Sequence, residues 1–329
     1  MSSSGPAQRL SVAVVGVGEM GRNHARCLAA MKGVDLVAVV DSDAARCHEV
    51  AATFECRSVT SISDLPHVDA AIVAAPSASH AEVGCALMER GVHCLIEKPL
   101  ALDRTQARLL VDAADSANVM LQVGHIERFN PAVRQLKELL EDELVLVTNA
   151  RRMSAVSGRV TDIDVVMDLM VHDLDIMLFL MGDSIDSIEA RAVTGPSGPD
   201  HVTALLSFQD GRLASLTASR ITQNQIRQLE VTTKDRFFTV DYPNQELLIF
   251  RQGRIGVDGS DASEGRYALD VDTKRVFVRR TEPLVAELQH FLGVVRGTHD
   301  NEVDGRGALR ALDLVWAVQG RLQGSADGS

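Results

Sequence analysis

Three sets of residues in this sequence could carry chemistry. The run Asp168-Leu-Met-Val-His172-Asp173-Leu-Asp175 spaces two carboxylates and an imidazole at i, i+4 and i+7, one face of a helix expected over 162–180. Val165, Val166, Leu169, Met170, Val171, Leu174, Met177 and Leu178 cover most of the rest, so that helix must be largely buried. Carboxylates buried beside an imidazole are costly unless paired or set on a cleft, which makes Asp168 and His172 candidates for proton transfer. A satisfied core pair is the competing reading. No metal is expected, because no third ligand stands at motif spacing. The second set, Glu97-Lys98-Pro99, closes an apolar run. Pro99 disfavours helix at Lys98, so the ammonium is aimed off the strand end, against the plainer reading of a solvated Lys-Glu pair. The third set is Gly16-x-Gly18-x-x-Gly21.

These glycines lie between an apolar run and a helical pattern, and Asp41 closes the next apolar run. In such a βαβ unit the first glycine permits the tight turn, the second lets the backbone approach a pyrophosphate, and the third allows helix and strand to pack closely. The helix start supplies unpaired N–H groups to the anion, and the later acid accepts the ribose hydroxyls of an adenosine. Asp41 therefore predicts NAD, with Ser42 and Arg46 leaving NADP open. Methyltransferases and flavoproteins also use this unit. Two further strand ends face the same side of an open α/β sheet: Ala75-Pro76-Ser77 with His80, and Gly124-His125-Ile126-Glu127-Arg128. His80 reads equally well as an ordinary first-turn helix residue.

The elements that must position these residues follow from the pattern. From 68 to 125, apolar strands alternate with helical segments, which specifies a doubly wound parallel sheet, a Rossmann α/β domain over 1–125. Beyond a helix near 131–141 come β-like segments joined by short polar turns such as Gln209-Asp210-Gly211, then helices near 282–296 and 306–322. This predicts a C-terminal α+β domain over 126–329 with a mostly antiparallel open sheet, its last helix returning to the first domain. Gly256 to Gly265 reads as a loop and the tail after 323 as unstructured.

With 329 residues, 46% of them apolar and 24% charged, the chain has room for two domains. A net charge of −12 argues against nucleic acid and anionic membrane as partners, though a local basic pocket would not show in the sum. The start MSSSGPAQR lacks a signal-peptide core, and no run reaches the roughly 18 apolar residues of a membrane span, so the cytoplasm is the expected compartment. Cys27, Cys47, Cys56, Cys85 and Cys94 show no Cys-x-x-Cys spacing and read as packed thiols.

Along essentially its whole length the chain resembles the glucose-fructose oxidoreductase, inositol dehydrogenase and rhizopine-catabolism (Gfo/Idh/MocA) family. The resemblance is carried by the glycine turn, Ala75-Pro76-Ser77-Ala-Ser-His80-Ala, Glu97-Lys98-Pro99-Leu, the Asp168-x-x-x-His172-x-x-Asp175 helix, and PLVAELQHFLGVVRG through GRGALRALDLV. The family helix has a Gly pair upstream and a Gly before the His, where this chain has Val165-Val166 and Val171. Val123 to Ala132, together with Met-Asp-Leu-Met-Val-His-Asp-Leu-Asp, looks most like the UDP-N-acetylglucosamine 3-dehydrogenase branch.

The resemblance implies hydride transfer between a sugar secondary alcohol and the nicotinamide. Lys98 would act as proton carrier or electrostatic partner, His172 as general base, and Asp168 would order them. It places the cofactor at Gly16, Gly18, Glu19, Met20, Gly21, Asp41, Ala75, Pro76, Ser77, His80, Glu97 and Lys98, and the sugar at His125, Asp168 and His172. Arg128, Arg151 and Arg159 are candidate ligands of a nucleotide-sugar pyrophosphate, since guanidinium groups bind phosphate through paired hydrogen bonds. It also implies a homodimer or homotetramer built through the second-domain sheet. The alternatives are a dehydrogenase or ketoreductase for another sugar, sugar phosphate or inositol and, from another class, a non-catalytic dinucleotide sensor.

Overall fold

The computed structural model describes residues 9–155, 163–195, 198–252 and 271–323. Arg159, the loop read at 256–265 and the tail after 323 lie outside the described residues. The chain divides into two compact units, Met1–Ile126 with Glu282–Asp313, and Glu127–Thr281 with Leu314–Ser329.

The first unit alternates β1 (Leu10–Val15), α1 (Glu19–Ala29), β2 (Val34–Val40), α2 (Ala44–Thr53), β3 (Arg57–Val59), β4 (Ala70–Val73), α3 (His80–Met88), β5 (His93–Glu97), α4 (Arg104–Ala117) and β6 (Leu121–Gly124). Its sheet runs β3-β2-β1-β4-β5-β6, every pairing parallel. The strand order reverses between β1 and β4, the switch point at which such sheets bind nucleotides. Strands covered on both faces must be apolar throughout, and Val12, Ala13, Val14, Ala71, Ile72 and Leu95 are all fully buried. Local signals fix the helix ends. Asp43 caps α2 by accepting from the Ala45 and Arg46 amides, Asp103 caps α4 through the Gln106 amide, and Asn118 closes α4 in the left-handed region at φ 51°.

The second unit holds α5 (Pro131–Leu139), β7 (Val147–Met153), α6 (Val171–Met181), β8 (Ile185–Gly195), β9 (Gly198–Phe208), β10 (Leu213–Ser219), β11 (Ile226–Thr232), β12 (Phe237–Asp241), β13 (Glu246–Gln252) and β14 (Val271–Arg275). Its sheet order is β14-β13-β12-β11-β7-β10-β9-β8, with β7–β10 parallel and the other described pairings antiparallel. Alternation is clean in β7 and β11, where inward Ala150, Leu229 and Val231 are buried and their neighbours are half-buried or exposed. The chain closes with α7 (Pro283–Val295) and α8 (Gly305–Gln323). Leu284, Leu288, Phe291 and Leu292 of α7 pack into the first unit's core with Val12, Val14 and Leu95. Among the described residues no helix is long and apolar enough to cross a membrane.

Candidate active site

In the first unit the glycine turn is shaped to receive an anion. Gly16 has φ +85°, and a Cβ there would stand 2.5 Å from the Ala75 amide nitrogen. A Cβ on Gly21 would fall 1.8 Å from the Gly16 carbonyl oxygen. Both positions therefore exclude side chains, so the β1–α1 turn can press against the strand end at Ala74-Ala75. A Cβ on Gly18 would meet nothing within 4 Å, and Gly18 caps α1 without a side-chain hydrogen bond. The open backbone and the first-turn N–H groups of α1 thus fit a dinucleotide pyrophosphate. Glu19 and Met20 lie on the exposed side of that turn.

At the end of β2, Asp41 is 7% exposed and its carboxylate accepts four hydrogen bonds. The Val17 amide donates at 2.8 Å, the Asp43 amide at 2.9 Å, and Arg46 through Nη2 at 2.7 Å and Nε at 3.2 Å. Burial alone would push this carboxyl up, but the bonds from Arg46, Val17 and Asp43 outweigh it and hold Asp41 below its ordinary value. Ribose hydroxyls reaching Asp41 would share it with Arg46, whose side chain is 42% exposed.

The β4 and β5 ends are joined by one ring. His80 is 1% exposed, with Nε2 2.9 Å from the Ala75 carbonyl and Nδ1 3.0 Å from the Pro99 carbonyl. Expected from the sequence as a cofactor ligand, His80 instead has both ring nitrogens on main chain, because it lies beneath the two loops and not on their surface. Burial lowers its pKa despite the two carbonyls. Pro76 is exposed, Ala75 and Ser77 are half-buried, and Lys98 is half-buried before a cis bond to Pro99. Glu97 reaches back into the unit, where its Oε1 lies 2.6 Å from Nε2 of the fully buried His24. Residue 124 lies close by, where a Cβ would stand 2.9 Å from Glu97 Oε2 and 3.1 Å from its Cα, so glycine gives Glu97 the room. His125, next in chain, is 2% exposed.

In the second unit the expected helix starts irregularly. Val166–Met170 form a π-helical turn before α6, with Asp164 accepting from the Val166 and Met167 amides at 3.0 and 2.9 Å. The wider turn carries Asp168 and breaks the spacing that would align Asp168, His172 and Asp175 on one face. Asp168 meets Arg220 at 3.1 Å, and the same guanidinium nitrogen reaches the Ile163 and Asp164 carbonyls at 2.8 and 3.1 Å. His172 is half-buried in the first turn of α6. Asp175 points elsewhere, accepting from Arg128 Nε at 2.7 Å and Nη2 at 2.6 Å.

That pair corrects one expectation. Arg128, read as a phosphate ligand, is 9% exposed, and the forked edge that would grip a phosphate is taken by Asp175. Strand alternation separates the next two arginines. Arg151 lies half-exposed on the open sheet face with Gln228 and Glu230, whereas Arg152 is 3% exposed between Asp173, at 2.9 and 3.1 Å, and Glu127, at 2.9 Å. Burial works against charge on Arg152, but the two carboxylates outweigh it and raise its pKa. The sequence reading missed Arg220, since an arginine ending β10 carries no motif. It also missed Glu287 on α7, which is fully buried.

Residues 10–125 match the model of an oxidoreductase family with an NAD-binding Rossmann fold, and residues 157–236 match the GFO/IDH/MocA C-terminal domain. UDP-N-acetylglucosamine 3-dehydrogenase of Acidithiobacillus ferrooxidans is 35% identical over 94% of this chain and 97% of its own. A solved structure of that enzyme superposes with a TM-score of 0.86, at 32% identity, over 96% of this chain and 98% of that one. Inositol 2-dehydrogenase of Rhodococcus jostii is 32% identical over 62% of this chain and 60% of its own. An Agrobacterium radiobacter oxidoreductase solved with NAD+ and L-tartaric acid shares the fold, with a TM-score of 0.81 over 95% of this chain and 96% of that one, at 19% identity.

Proposed function

Since the chain belongs to the GFO/IDH/MocA oxidoreductase family, we propose that this NAD-dependent dehydrogenase acts on a nucleotide-linked sugar, UDP-N-acetylglucosamine, oxidising its C3 hydroxyl. The observation that carries the substrate assignment is end-to-end similarity to an enzyme of that specificity, at an identity well above that of a shared fold alone. The family's inositol dehydrogenases match at lower identity, over a part of the chain or nearly all of it, which makes a free polyol the second reading.

The roles divide by unit. NAD supplies the hydride acceptor. In the first unit the α1 N–H groups behind Gly18 hold its pyrophosphate, Asp41 accepts the ribose hydroxyls, and the loops at Ala75-Pro76-Ser77 and Glu97-Lys98 line its remaining length. His80 acts through those loops, which it ties together from below. Lys98 brings a positive charge to the reacting oxygen. In the second unit His172 takes the hydroxyl proton, the side chain best suited to do so near neutral pH. Asp168, fixed by Arg220, gives that end of the helix its negative charge. His125 remains a candidate sugar contact, and Arg159 a candidate phosphate ligand.

The open face of the second sheet, with Leu205, Leu213, Phe237, Leu248 and Phe250 partly exposed, is proposed as the surface of a homodimer or homotetramer. The cytoplasm is the proposed compartment, in keeping with five free cysteines.

The test is NADH formation with UDP-N-acetylglucosamine, N-acetylglucosamine, glucose 6-phosphate and myo-inositol side by side. The UDP sugar should be oxidised with the highest kcat/KM, and His172→Ala and Lys98→Ala should each lower kcat by roughly 10²-fold while NAD still binds. Preference for myo-inositol would overturn the substrate assignment, and near wild-type turnover by both variants would overturn the site.

A further inference from the structure

One face of the first sheet carries a polar seam that the reaction as described does not use. Leu95 and Glu97 of β5 pair with Gln122 and Gly124 of β6, so all four lie on one face. Helices α1 and α7 cover that face with His24 and Glu287, both 0% exposed, while the Glu97 side chain is 13% exposed. His24 meets Glu97 at 2.6 Å, and further along α7 His290 Nδ1 lies 2.9 Å from Gln122 Oε1. Neither carboxyl oxygen of Glu287 has a hydrogen-bond partner among the described residues. A buried carboxyl in that state is costly, and a leucine would fill the place at less expense to stability.

Two carboxyls that feel each other's charge along a buried seam do not both ionise. Burial and then the charge of Glu97 push Glu287 well above the ordinary carboxylate range. Burial also pushes Glu97 up, but His24 and Lys98 outweigh it and hold Glu97 below its usual value. The proton therefore sits on Glu287, and Glu97 holds the negative charge beside Lys98.

We propose that Glu287 is a positioning residue for the dehydrogenase reaction: a buried neutral carboxyl that keeps the Glu97 carboxylate, and with it the Lys98 strand end, in place. The proposal rests on the reading of Lys98 as a participant in that reaction. Loss of the proton would set a second negative charge against Glu97, one residue from Lys98. The other titratable or charged groups along this seam are His24 from α1, Glu97 and Lys98 from the β5 end, and His290 of α7 against Gln122.

Wild type is compared with Glu287→Gln, which fixes the neutral state, and Glu287→Leu, which keeps the bulk. Thermal unfolding needs no substrate. The Tm advantage of Glu287→Gln over wild type should grow by at least ~4 °C between pH 5 and pH 8, as folding holds a proton that the unfolded chain releases. In turnover, Glu287→Gln should keep kcat within about threefold at pH 7 and lack the wild type's alkaline fall. Glu287→Leu should lower kcat about tenfold or more, with KM and NAD affinity nearly unchanged. A Tm advantage independent of pH overturns the buried proton, and equal kcat with equal pH profiles in all three proteins overturns the positioning. If the wild type oxidises no sugar, the dehydrogenase reading fails on its own, and the pH at which Lys98 becomes reactive to acetic anhydride then decides the positioning. That pH should shift in Glu287→Leu, and an unshifted value overturns the proposal.

Discussion

Replacing Asp175 by Asn keeps the shape of the Arg128–Asp175 pair and removes one charge. Side-chain exposures are 11% for Arg128 and 1% for Asp175, and the two hydrogen bonds, at 2.7 and 2.6 Å, form a bidentate fork. A surface pair of this kind is worth about 0–1 kcal/mol, whereas breaking a buried one costs about 3–5 kcal/mol because a charge is left without its counterion. The Phe179 ring, 5.1 Å from the guanidinium carbon, and the residual exposure of Arg128 soften the loss, which places the expected cost near 3 kcal/mol. Trp316, the single tryptophan, belongs to the same unit, so its fluorescence in a urea titration reports the element under test. The double variant Arg128→Met, Asp175→Leu should recover most of the loss, because an apolar pair carries no desolvation penalty. A cost below about 1 kcal/mol for Asp175→Asn would refute this reasoning. So would an Arg128→Met variant of unchanged stability with a raised KM for the UDP sugar, which would return Arg128 to the phosphate role.

Three further outcomes are expected. Asp41→Asn should weaken NADH binding by roughly 10-fold or more, the worth of a charge-assisted hydrogen bond, as read by dihydronicotinamide fluorescence. Because the folded-state pKa of Asp41 is depressed, its stabilisation is complete above the unfolded value near 3.9 and is lost as pH falls through the folded one; the Tm gap between wild type and Asp41→Asn should therefore be open at pH 7 and close below about pH 4. Gly124→Ala should lower stability by about 1–3 kcal/mol and depress kcat, since its Cβ would stand 2.9 Å from Glu97 Oε2 and 3.1 Å from Glu97 Cα; a variant matching wild type in Tm and kcat would show that the strand end yields freely.

Sequence and structure agree where the signal is local. The glycine turn, Asp41 at the end of β2, the alternating first unit and the antiparallel texture of the second can all be read from residues a few positions apart, because the period of a strand or helix is itself local. Side-chain partnerships are not local. Asp168 finds Arg220 fifty-two residues away, Asp175 finds Arg128 forty-seven away, and Glu97 finds His24 seventy-three away. The π turn at Val166–Met170 is invisible for a different reason. It changes the phase of the helix without needing an unusual composition, so α-helical spacing does not carry from Asp168 to His172 and Asp175, which keep their own spacing inside α6. In α7, Glu287 reads as a routine polar residue beside Gln289 until the strand beneath it is known to end in Glu97.

His80 gives the first unit a property that no single loop has. A neutral imidazole owns one N–H, yet its two nitrogens face two carbonyls, that of Ala75 after β4 and that of Pro99 after β5, and burial disfavours a second proton that would serve both. At any instant one loop is tethered and the other rests against a lone pair. The tautomer decides which, so the two strand ends compete for one hydrogen. The two loops are thus coupled through one side chain that neither of them contains.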